Sequence, residues 1–354
     1  MFRVVALGVA LALSIPARAR AEEAAPADPA VEVTPGRRAL AITAALVPGV
    51  IVHGAGSWVA GERTTARRLA SAQLAGLALA VAGGLPVGLS GGAAQTMPGL
   101  ALILPGGGLL VTTWLADIYA AAGGERLGGR PAPPARLEAA LGYTFVRDAD
   151  LPIAHLAAGE ATVRVGRAAA QLAAWAGDGA WRARLAAGAR LYGPRPDAPA
   201  ADATAIDVEA GFAHEDRDVS SYAVRSGELI ARGRYDLVRL AAPLAGSFAT
   251  LGLGLGVEQV RYATGAADTG GLVAGRFGWG VYLGAGAGEV ELYYEHRRDT
   301  LAGGLTPRLP FNGFFGHVGA AASGWRGAWG LAAGLEIGSA YVATLALRWR
   351  TVAP

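Results

Sequence analysis

Between Arg326 and Arg350 the chain alternates, residue by residue, between two characters. Trp329, Leu331, Ala333, Leu335 and Ile337, then Tyr341, Ala343, Leu345, Leu347 and Trp349, make one apolar row that begins and ends in tryptophan. The interleaved row is small or charged: Gly330, Gly334 and Glu336, then Thr344, Arg348 and Arg350. A period of two places successive side chains on opposite faces of a strand. An apolar outside, a polar inside and aromatics near the strand ends are the pattern of strands that cross a membrane in a barrel.

The same alternation recurs from Leu137 onward. Leu251, Leu253, Leu255 and Val257 oppose Gly252, Gly254, Gly256 and Glu258, and Val290, Leu292 and Tyr294 oppose Glu289, Glu291 and Glu295. A soluble sandwich would expose that second face, for which repeated Gly, Glu and Arg are poorly suited, whereas they suit a barrel lumen. Candidate strands are 137–146, 158–176, 180–192, 203–214, 221–239, 247–261, 271–284, 288–298, 314–323, 328–337 and 341–350. These are eleven, and bacterial single-chain barrels have even numbers. Counting from the N-terminal side puts the connections 147–157 and 193–202 outside; counting from the C-terminal side puts 262–270 and 299–313 there. The two counts disagree in parity, which places the missing strand within 203–240. A split of 215–240 around Arg225-Ser226-Gly227 gives twelve strands; ten is the alternative.

Residues 137–350 thus resemble the outer-membrane β-barrels of bacteria. The expected fold is an all-β membrane barrel, an antiparallel up-and-down transmembrane β-barrel, preceded by an apolar α-helical segment. The resemblance is one of architecture and transfers no functional residue. It implies residence in the outer membrane, contact with its lipids and lipopolysaccharide, and passage through the barrel-assembly machinery. The expected lumen charges are Arg182, Arg184, Asp207, Glu209, Arg232, Arg234, Asp236, Glu258, Arg276, Glu289, Glu291, Glu295, Glu336, Arg348 and Arg350. Charges of both signs in a narrow lumen can pair across it. They form either a salt-bridged plug or the lining of a small hydrophilic pore.

Ahead of the barrel the chain divides into four parts. Residues 1–21 read as a signal peptide: Met1-Phe2-Arg3, an apolar run from Val4 to Ile15, Pro16, and a small-x-small site at Ala19-Arg20-Ala21. The apolar core is too short for a spanning helix. Residues 22–36 are acidic and rich in Pro and Ala, a composition that favours disorder. Residues 37–125 hold three apolar segments, Ala39 to Ala60, Leu69 to Leu89 and Gly99 to Ala122, with a polar hinge from Gly61 to Arg68. Pro48-Gly49 and Gly54-Ala55-Gly56 interrupt the first, and Pro105-Gly106-Gly107-Gly108 the third. Hydrophobicity drawn from Ala and Gly contributes little to insertion, which lets such helices pass through the inner membrane during export. Residues 126–136, Gly- and Pro-rich, are a linker before the barrel at 137–354.

The run Pro48 to Gly61 resembles the Pro-Gly-x-Gly-x-x-x-x-Gly helical hairpin of small bacterial membrane-associated modules. That implies a membrane-associated helical unit on the periplasmic side, with no attached chemistry and with His53 packed at the crossing. Envelope proteins are possible partners of these helices.

Chemistry is sparse. The absence of Cys removes thiolate metal sites and a Cys nucleophile. The 31 basic residues are all Arg, an effect of a GC-rich genome, and they alternate along strands without a nucleic-acid motif. None of His53, His155, His214, His296 and His317 is followed by Ser two places on, and a Ser-His-Asn set would need Asn312. His214 with Asp216 or Asp218 makes a weak protease-like pair, read more simply as a solvated turn from His214 to Asp218. Glu291 and Glu295 share a strand face and can be acid and base or lumen lining alike. The expectation is a non-enzymatic barrel without cofactor or metal, structural or anchoring in role, with a passive channel as the alternative and a lipid- or peptide-cleaving barrel third.

Overall fold

The computed structural model describes residues 33–90, 93–123, 132–148, 155–197, 202–217, 222–239, 246–283, 287–297, 299–302 and 316–351. The expected signal peptide and cleavage site, most of 22–36, Asp218 and Asn312 lie outside them.

Twelve antiparallel strands close on themselves. They are β1 (Leu137–Asp148), β2 (His155–Val165), β3 (Ala168–Gly177), β4 (Ala180–Tyr192), β5 (Ala205–Arg217), β6 (Tyr222–Asp236), β7 (Ser247–Arg261), β8 (Ala267–Leu283), β9 (Gly288–His296), β10 (His317–Arg326), β11 (Trp329–Ile337) and β12 (Ala340–Arg350). Each pairs with its sequence neighbours, and β12 returns to β1 from Glu138↔Arg350 to Asp148↔Ala340. Closure leaves no strand edge with unpaired backbone groups, a necessity where lipid offers no hydrogen bonds.

The register fixes which side chains share a face. The row Trp349, Leu347, Leu345 and Tyr341 faces outward with Leu141 and Tyr143 of β1. The outward residues stay exposed, Leu141 at 71% and Leu331 at 60%, because their solvent is lipid rather than protein. Inward, glycine makes room for large rings. Trp325 lies over Gly330 and Tyr293 over Gly319, so that a Cβ at either glycine would meet the ring.

The number twelve stands, but the sequence count reached it at the wrong place. The candidate strand 158–176 is two strands, β2 and β3, joined at Gly166-Arg167. The segment 215–240 is not split: β6 runs unbroken through Arg225-Ser226-Gly227. In consequence β1 ends and β2 begins at the end of the barrel opposite Leu137 and Arg350, with the 262–266 turn and the end of β9, whereas β4 ends and β5 begins at the terminal end.

Among the described residues four α-helices precede the barrel: α1 (Pro35–Leu46), α2 (Ala55–Ala60), α3 (Arg63–Ser90) and α4 (Ala93–Ala121). Thr34 caps α1 by accepting from the Arg37 N–H, and Pro35 occupies its first turn. The expected hinge Gly61–Arg68 is mostly helix, because α3 starts at Arg63; only Gly61 turns, at φ 98°. Nor do Pro105 and its three glycines break α4, which runs continuously through them. Two of the glycines are used for contact. A Cβ at Gly106 would meet the α3 backbone at Gly76 and Ala80, and one at Gly108 would meet the Trp279 indole of β8. Small residues that let backbones approach closely are the usual glue of helices in lipid.

The helices therefore lie against the outside of the barrel. Trp279 belongs to an outward row with Ala249 and Leu292, and α4 covers it. Val281, also outward, is only 4% exposed beneath the helix. From Arg63 to Pro86, α3 is long and apolar enough to cross a membrane, with mean hydropathy 1.5.

Candidate functional site

The inward face gathers the charge of the molecule, and it is layered along the barrel axis. At the terminal end, Glu138 of β1 is shared by Arg164 of β2 at 3.1 Å and Arg348 of β12 at 3.3 Å. Arg190 grips Asp207 with two bonds of 2.8 and 2.9 Å. Arg234 of β6 reaches across to Glu289 of β9 at 2.9 Å while its guanidinium stacks on Phe248 at 4.0 Å. Asp236 is buried, accepting from the Ala203 N–H at 2.7 Å and from the Tyr282 hydroxyl.

In the middle, Arg184 is held by Glu228 at 2.7 Å, by Glu209, and by Gln171 at 3.2 Å. Arg276 bridges Glu291 and Glu295, each at 3.0 Å, and lies 3.7 Å over the Tyr293 ring. Thr250 donates to Glu291 at 2.6 Å. Tyr293 donates to Glu336 at 2.7 Å, and the buried His317 ring stands 3.6 Å from the same carboxylate.

At the opposite end the chain leaving β9 turns into the lumen. Arg297 bonds Asp299 twice at 2.7 Å and reaches Glu228 of β6 at 2.8 Å. Asp299 also accepts from Ser226 of β6 at 3.1 Å and lies 3.9 Å from Arg182 of β4, which holds Glu215 at 3.0 Å. These side chains retain only 1–9% exposure. Burial pushes the Asp299 carboxyl up, but the hydrogen bonds and charge of Arg297, aided by Arg182 and Ser226, outweigh it and hold the group below the ordinary carboxylate range. Charges removed from water persist only when paired and hydrogen-bonded, and here each has several partners.

The geometry brings most of the sequence-proposed residues into these layers. Arg182, Arg184, Asp207, Glu209, Arg234, Arg276, Glu289, Glu291, Glu295 and Arg348 are in ion pairs, and Glu336 accepts from the Tyr293 hydroxyl. Arg232 approaches Glu209 at 3.7 Å only. Glu258 is buried on the inward face, and Arg350 stacks 4.4 Å from the Trp325 centroid with no carboxylate in ion-pair range among the described residues. Glu291 and Glu295 are joined through Arg276, an arrangement for holding an arginine rather than exchanging protons with a substrate.

Sequence reasoning missed Glu138, Arg164, Glu228, Arg297, Asp299 and His317, and misassigned Glu215 and Arg217. The run His214 to Asp218 is not a solvated turn: β5 continues to Arg217, and Glu215 and Arg217 are buried inward. His214 faces outward against Trp181, ring centroids 4.9 Å apart. Alternation from Asp207 through Glu209 already carried the parity that turns Glu215 and Arg217 inward. The same parity, carried from Glu289 to Glu295, turns Arg297 inward, but both Arg297 and Asp299 lie beyond the last paired residue of β9, and nothing local marks Asp299.

The helical module has its own buried polar centre. Asp117 of α4 accepts from the Gly56 and Ser57 N–H groups at 3.0 and 2.8 Å and from the Ser57 hydroxyl at 2.7 Å, capping α2 from another helix. His53 contacts Thr113 one turn earlier at 2.6 Å. Burial lowers the His53 pKa against the raising effect of Asp117. Because Ser57 is committed to Asp117 and His53 to Thr113, this is a packing network and not a nucleophile with its base. Among the described residues no His, Asp and Glu group is arranged to hold a metal.

No family model and no curated protein matches the chain. Solved structures with a similar fold include the KdgM porin in complex with disordered oligogalacturonate, 10% identical over 61% of this chain and 99% of that one, with a TM-score of 0.38. The translocator domain of the autotransporter NalP from Neisseria meningitidis is 16% identical over 66% of this chain and 96% of that one, with a TM-score of 0.38. Omp33 of Acinetobacter baumannii is 11% identical over 61% of this chain and 98% of that one, with a TM-score of 0.32.

Proposed function

We propose that this chain is a non-enzymatic outer-membrane β-barrel whose lumen is shut by its own charges and whose outer wall anchors a helical module in the membrane. The observation that carries this reading is the clasp of Arg297 and Asp299. It ties the exit of β9 to Glu228 and Ser226 of β6 and to Arg182 of β4 across the lumen. The other end is narrowed from outside the sheet. Pro133 and Pro134 of the linker line the terminal mouth, and Arg164 donates to the Ala135 carbonyl at 3.2 Å.

In this reading the chain is exported by residues 1–21, cleaved after Ala21 and inserted by the barrel-assembly machinery. It stands among lipids and lipopolysaccharide with its terminal end toward the periplasm. The α1–α4 module is the surface offered to other envelope proteins. Planar-bilayer recording of the full chain tests the closed lumen: silence is expected, and stable unitary steps overturn it. N-terminal sequencing of the mature protein tests the cleavage site.

The alternative, a small passive channel, is favoured by one observation. Two adjoining cavities of about 250 and 300 Å³ open inside the terminal end, and arginines outnumber carboxylates in the lining of each. Steps selective for anions would establish that reading.

A further inference from the structure

The two cavities share Glu138, Arg164, Arg190, Asp207 and Arg348, so they form one recess within the barrel beneath the linker. Their lining holds eight arginines against five carboxylate residues. Pairing does not remove the surplus, because carboxylates are shared. Glu138 serves both Arg164 and Arg348, and Glu209 serves Arg184 and, at 3.7 Å, Arg232. Arg167 spends its guanidinium on the Leu191 carbonyl at 2.7 Å and the Arg190 carbonyl at 3.4 Å.

Arg350 is the clearest case. Its register partner is Glu138, which is already doubly engaged. Among the described residues its guanidinium meets no carboxylate in ion-pair range. It rests instead on Trp325, beside Arg348 at 4.7 Å from the same ring. Trp325 can lie flat there only because Gly330 has no side chain beneath it. The wall thus fixes two guanidinia side by side on an aromatic support, with one of them uncommitted. Stacking preserves the in-plane N–H donors, which remain available to an oxyanion.

We propose that this recess binds a small solute through a phosphate or carboxylate group, with Arg350 as the principal donor and Arg348 beside it. The site accepts one anionic group with a compact remainder, as the cavity of about 300 Å³ allows. The inference goes beyond the closed-barrel reading and stands whether or not the barrel conducts.

The test is calorimetric titration of the full chain, folded in zwitterionic detergent at low ionic strength, with inorganic phosphate in one arm and glucuronate in the other. Saturable binding of either is expected, and the arm that responds identifies the chemistry. Arg350→Gln is expected to weaken it about tenfold, the loss of one charge-assisted contact. Arg225→Gln, outward-facing at the opposite end, is expected to leave it unchanged. A heat-modifiable gel shift verifies that both variants are folded. No saturable binding in either arm, or equal affinity in wild type and folded Arg350→Gln, overturns the proposal.

Discussion

Arg297 is the side chain on which the lumen clasp turns, since Glu228 and Asp299 both depend on it and both are almost fully buried. Replacing it with glutamine leaves Glu228 with Arg184 alone and Asp299 with only the more distant Arg182, 3.9 Å away. Removing one partner from a buried pair costs about 3 kcal/mol or more. Arg297→Gln is therefore expected to lower the urea midpoint of barrel unfolding, read by the gel shift. The clasp also carries a pH dependence of definite sign. The Asp299 carboxyl lies below its unfolded value, so its contribution is fully present above the ordinary carboxylate pKa and is lost as pH falls through the lowered one. Barrel stability should fall in acid, and Asp299→Asn should flatten part of that fall. His53 behaves otherwise. Burial lowers its pKa below the ordinary histidine value, so the unfolded chain takes up the proton first and the helical module loses stability as pH drops below 6.5. Hydrogen exchange in α2 and α4 should show this in the wild type but not in His53→Gln.

Among the elements, the hairpin of α3 and α4 is held by absent side chains. A Cβ at Gly83 would run into the backbone at Gly99 and Ile103, where no rotamer change gives relief. Gly83→Leu is expected to cost about 2 kcal/mol or more through overpacking. It should raise protease cleavage in the helices and leave the barrel's gel shift intact. The helix ends and the strand count also show where the sequence speaks and where it does not. The last hairpin and β7 were legible because Leu opposes Gly, Glu or Arg at every step. The β2–β3 boundary was not. Its turn is the pair Gly166-Arg167, and the parity of outward residues flips across it from Val163 and Val165 to Ala168 and Ala170. In a strand so rich in alanine that flip leaves almost no contrast. The opposite error came at Arg225-Ser226-Gly227, whose residues resemble a turn. Ser226 points inward to Asp299 instead, and the strand runs on. Likewise Pro105 to Gly108 looks like a breaker by propensity, but close packing against α3 and Trp279 outweighs it.

At the scale of the whole molecule, the lumen site was half legible. Alternation assigns charges to the inner face, but it cannot tell which of them meet across the barrel, since that depends on closure and register. Nor can it show a segment beyond a strand folding back inside. In the closed-barrel proposal the lumen therefore holds two constrictions in series along one axis. One is the clasp of Arg297 and Asp299 at the opposite end; the other is the linker at Pro133 and Pro134, held by Arg164 at the terminal mouth. Resistances in series are governed by the larger, so opening one end should not produce conduction. Arg297→Gln with Asp299→Asn should stay silent in bilayers, and so should Pro133→Gly with Pro134→Gly, which exchanges a stiff extended segment for a flexible one. The four substitutions together should yield stable unitary steps, selective for anions because the arginine-rich recess then lies on the path. Conduction by the clasp variant alone would show that the linker leaves the terminal mouth open, whereas silence of the quadruple variant would place the closure in the ion pairs of the middle layer, around Arg184 and Arg276.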